Sequence, residues 1–205
     1  MNWKLIVKDK ANQPEKGTYT DWKEQIAEEC FFQCIYCSIN EAQFGGIDHY
    51  HIEHYKPKSI ERFKALENDI CNLFYSCPIC NRFKSNDWPN DADDLDKICY
   101  PDPSEYNYSE LFDVSTDDYK VNGKYVSTRY MTERLYLNRT QLLYERRETV
   151  LQQRAENVTK AIEALQEMID TQELLKESNK GVIELLKTTQ KRNNIRPYKL
   201  SEIRK

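Results

Sequence analysis

Long apolar runs are absent from this 205-residue sequence, and none approaches the roughly 20 residues that a membrane-spanning helix needs. Residues 1–10 mix lysines with a short apolar segment at 5–7, so they lack the apolar core of a secretory signal. Charged residues make up 31% and hydrophobic residues 39%, which is the balance of a globular protein rather than of a disordered chain. We therefore expect a cytoplasmic protein that does not act in a membrane.

Histidine is scarce and unevenly placed, because all three histidines lie between positions 49 and 54. The seven cysteines are an odd number in a chain without a recognisable export signal, which argues against a disulfide framework and favours metal binding. Four of these cysteines form two Cys-x-x-Cys pairs on either side of the histidines. The chemistry of the chain is therefore expected over residues 34–86.

The two Cys-x-x-Cys pairs have the spacing of zinc knuckles, in which each pair turns both of its sulfurs toward one ion. Four thiolates complete a tetrahedral site with no open coordination position, so this zinc ion is expected to stabilise the fold and not to catalyse. The alternative is that small cysteines simply fill a core, which is what we expect of the other three. The predicted ligands of a structural Zn²⁺ are Cys34, Cys37, Cys77 and Cys80.

The residues between and after the knuckles include the donors and the base that phosphodiester hydrolysis needs. Glu53 and Asn81 carry hard oxygen ligands suited to Mg²⁺ or Mn²⁺, ions that also bind phosphate and water. His54, with an ordinary pKa of about 6.5, can take a proton from water near neutral pH and is the predicted general base. On a strand His51 would share a face with Glu53, so it is a candidate third ligand, whereas His49 is expected to be a surface or packing histidine without a role in the site.

Three short elements in this region resemble the HNH nuclease family. They are Glu53-His54-Tyr55-Lys56-Pro57, Asn72 and Cys80-Asn81-x-x-Lys84. The resemblance implies a ββα-metal fold, in which two short strands and a helix hold one catalytic divalent ion, and it implies DNA as the substrate. Glu53 stands where the family usually has Asp, and Asn81 stands where a second histidine is common. This ligand set favours Mg²⁺ or Mn²⁺ over softer ions.

The same resemblance implies roles for three further residues. Asn72 is expected to hold the loop that orients His54. Lys84 and Arg82, placed at the start of the helix, are expected to bind the phosphates that flank the cleaved bond. We therefore predict Glu53, His54, Asn72 and Asn81 as the catalytic set.

A looser similarity extends over residues 30–147. It is carried by Glu53 to Ser59, Tyr100-Pro101-Asp102-Pro103, Thr132 to Arg139 and Leu143 to Arg147. These segments are similar to the HNH subunits of bacterial antiphage systems of the Septu type, which work with an ATPase partner. The similarity implies a defence nuclease whose helices after residue 140 form a docking surface for that ATPase.

Hydrophobic patterning, together with the HNH resemblance, predicts an α+β protein in three parts. Residues 1–33 form an N-terminal strand and helix, residues 34–128 the nuclease domain with its knuckles and an acidic loop, and residues 129–205 a helical docking region. The predicted elements are a strand over 3–7, a helix from Asp21 to near Cys30, a hairpin turning at Asn122-Gly123, and helices over 140–170 and 174–188. The acidic stretch 86–118 is expected to be an irregular, solvated loop.

Two other functions stay open from the sequence alone. A zinc-stabilised adaptor would bind nucleic acid or protein without cutting, but a binder has no need for a general base beside metal ligands. A stand-alone restriction or homing nuclease should carry a module that reads its target, and the sequence contains no recognisable one. Residues 187–205 hold seven basic side chains against one acidic, so they either follow a phosphate backbone or form a solvated terminus. Nothing in the motif reads bases, which leaves RNA open beside DNA.

Overall fold

A computed structural model describes residues 3–91, 94–173 and 180–193 of the chain. The chain divides into two compact units, and the boundary between them falls between Arg146 and Arg147. The first unit contains two small antiparallel sheets together with short helices and the cysteines, and the second unit is helical. The expected mixture of helices with small sheets is therefore confirmed.

The elements are short in the first unit and long in the second. The helices are α1 Lys23–Glu29, α2 Pro78–Lys84, α3 Tyr108–Leu111, α4 Val126–Arg134, α5 Thr140–Glu173 and α6 Lys180–Asn193. The strands are β1 His51–His54, β2 Leu73–Ser76, β3 Phe112–Val114 and β4 Val121–Gly123. Short 3₁₀ turns lie at Lys10–Asn12, Glu41–Phe44, Ile47–His49, Glu61–Leu66 and Ile70–Asn72. None of the helices in the described part of the chain is both long enough and apolar enough to cross a bilayer.

Strands β1 and β2 form an antiparallel pair that leads directly into helix α2. The pairing sets His51 opposite Ser76 and His54 opposite Leu73, and every residue of β2 is buried. Cys77 caps α2 through its Sγ, and Pro78 occupies the first helical position, where a missing N–H breaks no helical hydrogen bond. Helix α2 then contacts β1, so the end of β1 and one face of α2 lie side by side.

The core of the first unit is rich in buried tyrosines, whose hydroxyl groups need partners. The Tyr50 hydroxyl donates to the carbonyl of Ile39 at 2.8 Å, and the Tyr55 hydroxyl donates to the carbonyl of Tyr100 at 2.6 Å. These bonds tie rings in the core to loop backbone that has no regular secondary structure. The core therefore also holds irregular segments around the β1–β2 pair.

The strand predicted over residues 3–7 is wrong. This segment is extended, and Trp3 and Ile6 are buried in the core, but it pairs with no strand. The Ile6 N–H donates to the carbonyl of Pro103 at 3.2 Å. Alternating apolar residues thus bury one side of the segment without placing it in a sheet.

The hairpin prediction located the right segment but the wrong turn. Asn122-Gly123 lies inside β4, and the chain reverses over residues 115–120 instead. A Cβ atom on Gly123 would stand only 2.4 Å from the backbone of Thr128, so a glycine is needed there for close packing against α4. The Asn-Gly pair therefore marks a place where the backbones of β4 and α4 pack closely, and not a turn.

The helix predictions after residue 20 agree with the structure. Helix α1 ends at Glu29, next to the predicted end at Cys30, and α5 begins at Thr140 as expected. The predicted helix over 174–188 is described from Lys180 onward as α6, and the first six of its residues lie outside the described part. The basic tail beyond Asn193 also lies outside it. Within the described residues, the acidic stretch 86–118 is irregular apart from α3 and β3.

Candidate metal and catalytic site

The four knuckle cysteines lie together in the core of the first unit. All four are buried, and their sulfur atoms lie within 4.8 Å of one another, with 3.7 Å between Sγ of Cys37 and Sγ of Cys77. A tetrahedral zinc ion with Zn–S bonds of about 2.3 Å sets its sulfurs about 3.8 Å apart. The cluster is therefore close enough to hold a structural metal ion such as zinc, as the spacing predicts.

The remaining three cysteines, all within the described residues, form no disulfide. Cys30 and Cys99 are buried, and Cys71 is half-buried. Burial raises the pKa of the Cys30 thiol to about 12, so it stays protonated near neutral pH. These side chains fill the core, as expected, although Cys71 does so only in part.

A second site lies at the end of β1, where a cavity of about 220 Å³ opens beside α2. Glu53 and His54 from β1 and Asn81 from α2 all line it, so two elements that are separate in sequence contribute to one cavity. Lys58, from the loop after β1, lines it as well. Of the described acidic stretch, only Asn86 reaches the cavity, so the stretch does not cover the site.

Glu53 is a buried carboxylate with one oxygen engaged. Its Oε1 lies 2.7 Å from Nζ of Lys84 and accepts a hydrogen bond of 3.2 Å from the Tyr36 hydroxyl. Burial raises the pKa of Glu53, while the charge of Lys84 and the hydrogen bonds from Lys84 and Tyr36 act in the opposite direction. Among the described residues Oε2 has no hydrogen-bond partner. This oxygen and the amide oxygen of Asn81 form a donor set that fits a hard divalent cation.

The imidazole of His54 is held by backbone. Its Nε2 lies 2.9 Å from the carbonyl oxygen of Glu67, and because a carbonyl can only accept, Nε2 carries the hydrogen. The lone pair of the neutral ring is therefore on Nδ1. The ring of Tyr19 packs edge-on against it at 4.8 Å. Burial lowers the pKa of His54, so the imidazole is neutral at pH 7 and able to accept a proton.

Asn72 holds the loop that follows β1. Its Oδ1 accepts from the N–H of Lys56 at 2.8 Å, and its Nδ2 donates to the carbonyls of Lys56 at 3.0 Å and Leu66 at 3.3 Å. The Leu66 bond fixes the chain next to Glu67, whose carbonyl holds His54. These are the contacts expected of a residue that orients His54, and its effect on catalysis stays a prediction.

The structure does not place Lys84 where a phosphate could reach it. Lys84 belongs to the last turn of α2, not to its start, and its side chain is fully buried. Its Nζ donates to the carbonyl of His54 at 3.1 Å and pairs with Glu53. The positive charge of Lys84 is therefore paired with a carboxylate inside the protein. Arg82 is exposed on α2 and does not line the cavity. This buried position argues against the predicted phosphate contact of Lys84, which stays a prediction.

The other two histidines lie apart from this group. His51 is exposed at the start of β1, opposite Ser76, and does not line the cavity. The contacts with Lys84 of α2 are made by Glu53 and His54, at the other end of β1, and the role of His51 as a third ligand stays a prediction. His49 is exposed in its 3₁₀ turn, where we expected it.

Sequence reasoning missed three residues around His54. Lys58 lies with its Nζ 2.7 Å from Oε1 of Glu67 and 2.8 Å from the hydroxyl of Tyr19, and it brings a positive charge to the cavity wall. Its position directly after the motif proline could have drawn attention to it. Glu67 acts through its backbone carbonyl, and Tyr19 comes from a loop before α1, so no spacing pattern could have indicated either.

Comparison with models of protein families, with curated proteins and with solved structures found no match to this chain. The assignment of a function therefore depends on the site itself.

Proposed function

We propose that this chain is a metal-dependent endonuclease of the HNH kind, which hydrolyses phosphodiester bonds of DNA. The observation that carries the proposal is the hydrogen bond from Nε2 of His54 to the carbonyl of Glu67, made beside Glu53 and Asn81 on one cavity wall. A general base with a fixed tautomer, next to two hard oxygen donors, is what hydrolysis by an activated water requires. A structural role for His54 would not need its neighbours to share a cavity.

Each of these residues has its own role in the proposed reaction. His54 takes the proton of the attacking water through Nδ1, and Asn72 and the Glu67 carbonyl keep the ring in place. Lys58 offers a positive charge to the phosphate at the cavity wall. Glu53 and Asn81 would hold Mg²⁺ or Mn²⁺, which supplies charge neutralisation at the phosphate and the leaving oxygen when bound.

The local chain order also supports a ββα-metal core. Two antiparallel strands are followed directly by α2, and the cavity lies where β1 meets that helix. The cysteine cluster brackets this core through a pair before β1 and a pair at the start of α2. Zinc in the cluster would hold the core together and leave catalysis to the second ion.

A narrower proposal concerns biological context. The similarity to Septu-type subunits suggests an effector of antiphage defence that works with an ATPase partner. Helices α5 and α6 would provide the docking surface, and their exposed apolar side chains are compatible with that role. These side chains are Leu151, Val158, Met168, Val182 and Leu185.

The test is nicking of supercoiled plasmid by the purified protein with Mg²⁺ or Mn²⁺, at low salt so that phosphate contacts are not screened. We expect cleavage that is lost with chelator and falls at least about a hundredfold in His54→Ala, in line with the loss of a general base. His49→Ala is the matched control, because that histidine is exposed and away from the cavity. His51→Ala, tested in parallel, decides whether His51 is a third ligand.

The competing function, an adaptor that binds without cutting, predicts a different pattern. Plasmid would then be retarded in a gel without being nicked, and His54→Ala would bind as the unaltered protein does. If neither binding nor nicking occurs, the assay is repeated with the proteins that co-purify from the native host. Nicking that appears only in their presence would support the partner proposal, and its continued absence would overturn the nuclease proposal.

A further inference from the structure

One arginine lies directly against the cysteine cluster. The guanidinium of Arg139, between α4 and α5, has Nη1 3.7 Å from the sulfur of Cys80, and Nη2 at 3.8 Å from Cys37, 3.9 Å from Cys77 and 3.8 Å from Cys80. Three of the four sulfurs thus lie within hydrogen-bonding distance of one planar group. At N···S distances below 4 Å these are contacts of ordinary N–H···S length.

The same guanidinium is anchored to the end of helix α4. Nη1 also donates to the carbonyls of Leu135 at 3.3 Å and Tyr136 at 3.5 Å. The next polar side chain, Asn138, bonds both the N–H and the carbonyl of Val121 in β4, at 2.8 and 2.9 Å. The backbone next to Arg139 is therefore held against β4, and the guanidinium group is directed at the sulfurs.

The positive charge of Arg139 lies where the metal–thiolate cluster would be negative. Four thiolates and one Zn²⁺ carry a net charge of −2, and a buried charge of that size is costly without nearby cations. Arg139 supplies a positive charge in contact with the sulfurs. Arg146, itself buried, lies close enough to Cys37 and Cys80 for their charges to act on it, so the two cations together match the −2.

We infer that Arg139 is the outer partner of the metal–thiolate cluster and donates N–H···S hydrogen bonds that strengthen metal retention and lower the reactivity of the sulfurs. A hydrogen bond to a metal-bound thiolate withdraws electron density from sulfur, so it stabilises the ligand and makes it a poorer nucleophile. The inference does not depend on the nuclease proposal, because it concerns only the cysteine cluster. It also explains why an arginine, with its planar fork, occupies this position rather than a lysine.

The test uses the full chain loaded with Co²⁺, whose thiolate charge-transfer band reports the electron density on sulfur. The variants are Arg139→Gln and Arg139→Lys, and the matched control is Arg129→Gln, whose exposed guanidinium donates to the carbonyl of Lys124. In Arg139→Gln we expect the band at lower energy and metal affinity about tenfold lower, at the lower end of what loss of an outer partner costs. Iodoacetamide, which forms an S–C bond and expels iodide, should release the metal faster.

The outcomes distinguish hydrogen bonding of Arg139 to the sulfurs from a purely structural role at the end of helix α4. A lower melting temperature with an unmoved band would mean that Arg139 only ends helix α4, and the inference would be overturned. Unchanged affinity and an unchanged band would overturn it as well. If circular dichroism shows that Arg139→Gln does not fold, Arg139→Lys decides, since its ammonium group keeps the charge but lacks the planar fork and should give a partial shift. The control should match the unaltered protein in every measurement.

Discussion

At the scale of single residues, the site depends on the buried pair of Glu53 and Lys84. Glu53 alone would be expected to take up a proton, because burial raises its pKa, and Lys84 is the cation that opposes this. Nζ of Lys84 also bonds the carbonyl of His54, so one ammonium group fixes the adjacent backbone and the adjacent carboxylate. Under the proposed function, Lys84 would prepare a metal ligand, Glu53, and the general base, His54, without contacting DNA.

Replacement of Lys84 tests this role. Lys84→Met keeps the length of the side chain but leaves Glu53 as an unpaired buried carboxylate, so we expect the free energy of unfolding to fall by about 3–5 kcal/mol. The measurement is urea unfolding followed by circular dichroism. Adding Glu53→Gln to Lys84→Met should recover part of the loss. A loss of less than about 1 kcal/mol, with weakened binding of DNA, would instead return Lys84 to its predicted contact with phosphate.

His54 is expected to titrate below its ordinary pKa. Burial lowers that pKa from 6.5, so its ring signal in a proton NMR titration of the metal-free protein should have a midpoint below pH 6.5. Between the folded midpoint and pH 6.5 the unfolded chain binds more protons, so stability should decrease as the pH falls through this window. The His54→Ala spectrum assigns the signal. A midpoint at or above pH 6.5 would contradict the burial argument.

At the scale of elements, the loop between β1 and β2 decides whether the site is assembled. The motif residues lie on β1 and α2, but the carbonyl that holds His54 belongs to the loop, and Asn72 binds that loop at two places. Asn72 is itself buried at the end of a 3₁₀ turn and leads into β2. One side chain therefore links the fold of the loop to the orientation of His54.

Asn72→Ala should reduce both stability and turnover. It leaves the N–H of Lys56 and two carbonyls without their partner, so we expect a loss of about 1–3 kcal/mol in the free energy of unfolding. If the protein cuts DNA as proposed, kcat should fall while KM changes little, because His54 loses its orientation and the substrate contacts remain. Asn40→Ala, which removes only the cap of the Glu41–Phe44 turn, is the control and should leave kcat unchanged. Equal kcat in both variants would argue against an orienting role.

Sequence patterns predicted the long helices and the cysteine cluster, and physical reasons explain both. Thr140 opens a helix with sustained apolar spacing, and two Cys-x-x-Cys pairs permit few arrangements other than a shared site. The strand predicted around Trp3 is wrong because burial of alternate residues does not require a strand partner. The sequence did not predict the burial of Lys84, because a position in a helix alone does not reveal a buried ion pair. The contact of Glu67 with His54 could not be predicted, because it is made by a backbone carbonyl and not by the side chain.

At the scale of the whole molecule, the cysteine cluster joins parts of the chain that the sequence separates. Cys37 and Cys77 are 40 residues apart, and the β1 strand, its loop and β2 all lie between the two pairs. Arg139 extends the same connection to the end of α4. Within the described residues, α5 beyond Arg146 and all of α6 supply no ligand to the cluster.

Removal of the metal should therefore act on one unit and spare the other. Without an ion, four thiols packed within 4.8 Å of one another lose the bonds that hold the two knuckles together, and binding energy of this kind is folding energy in small metal sites. We expect chelation by a strong thiol-compatible agent, or Cys77→Ser, to remove the near-ultraviolet circular dichroism of the buried tyrosines. The far-ultraviolet helix signal should persist in part, because α6 and most of α5 belong to the second unit.

Cys71→Ser, at a half-buried free thiol, is the control and should leave both signals unchanged. Retention of the near-ultraviolet signal after complete metal removal, verified by elemental analysis, would show that packing of the tyrosine core holds the unit together without the cluster.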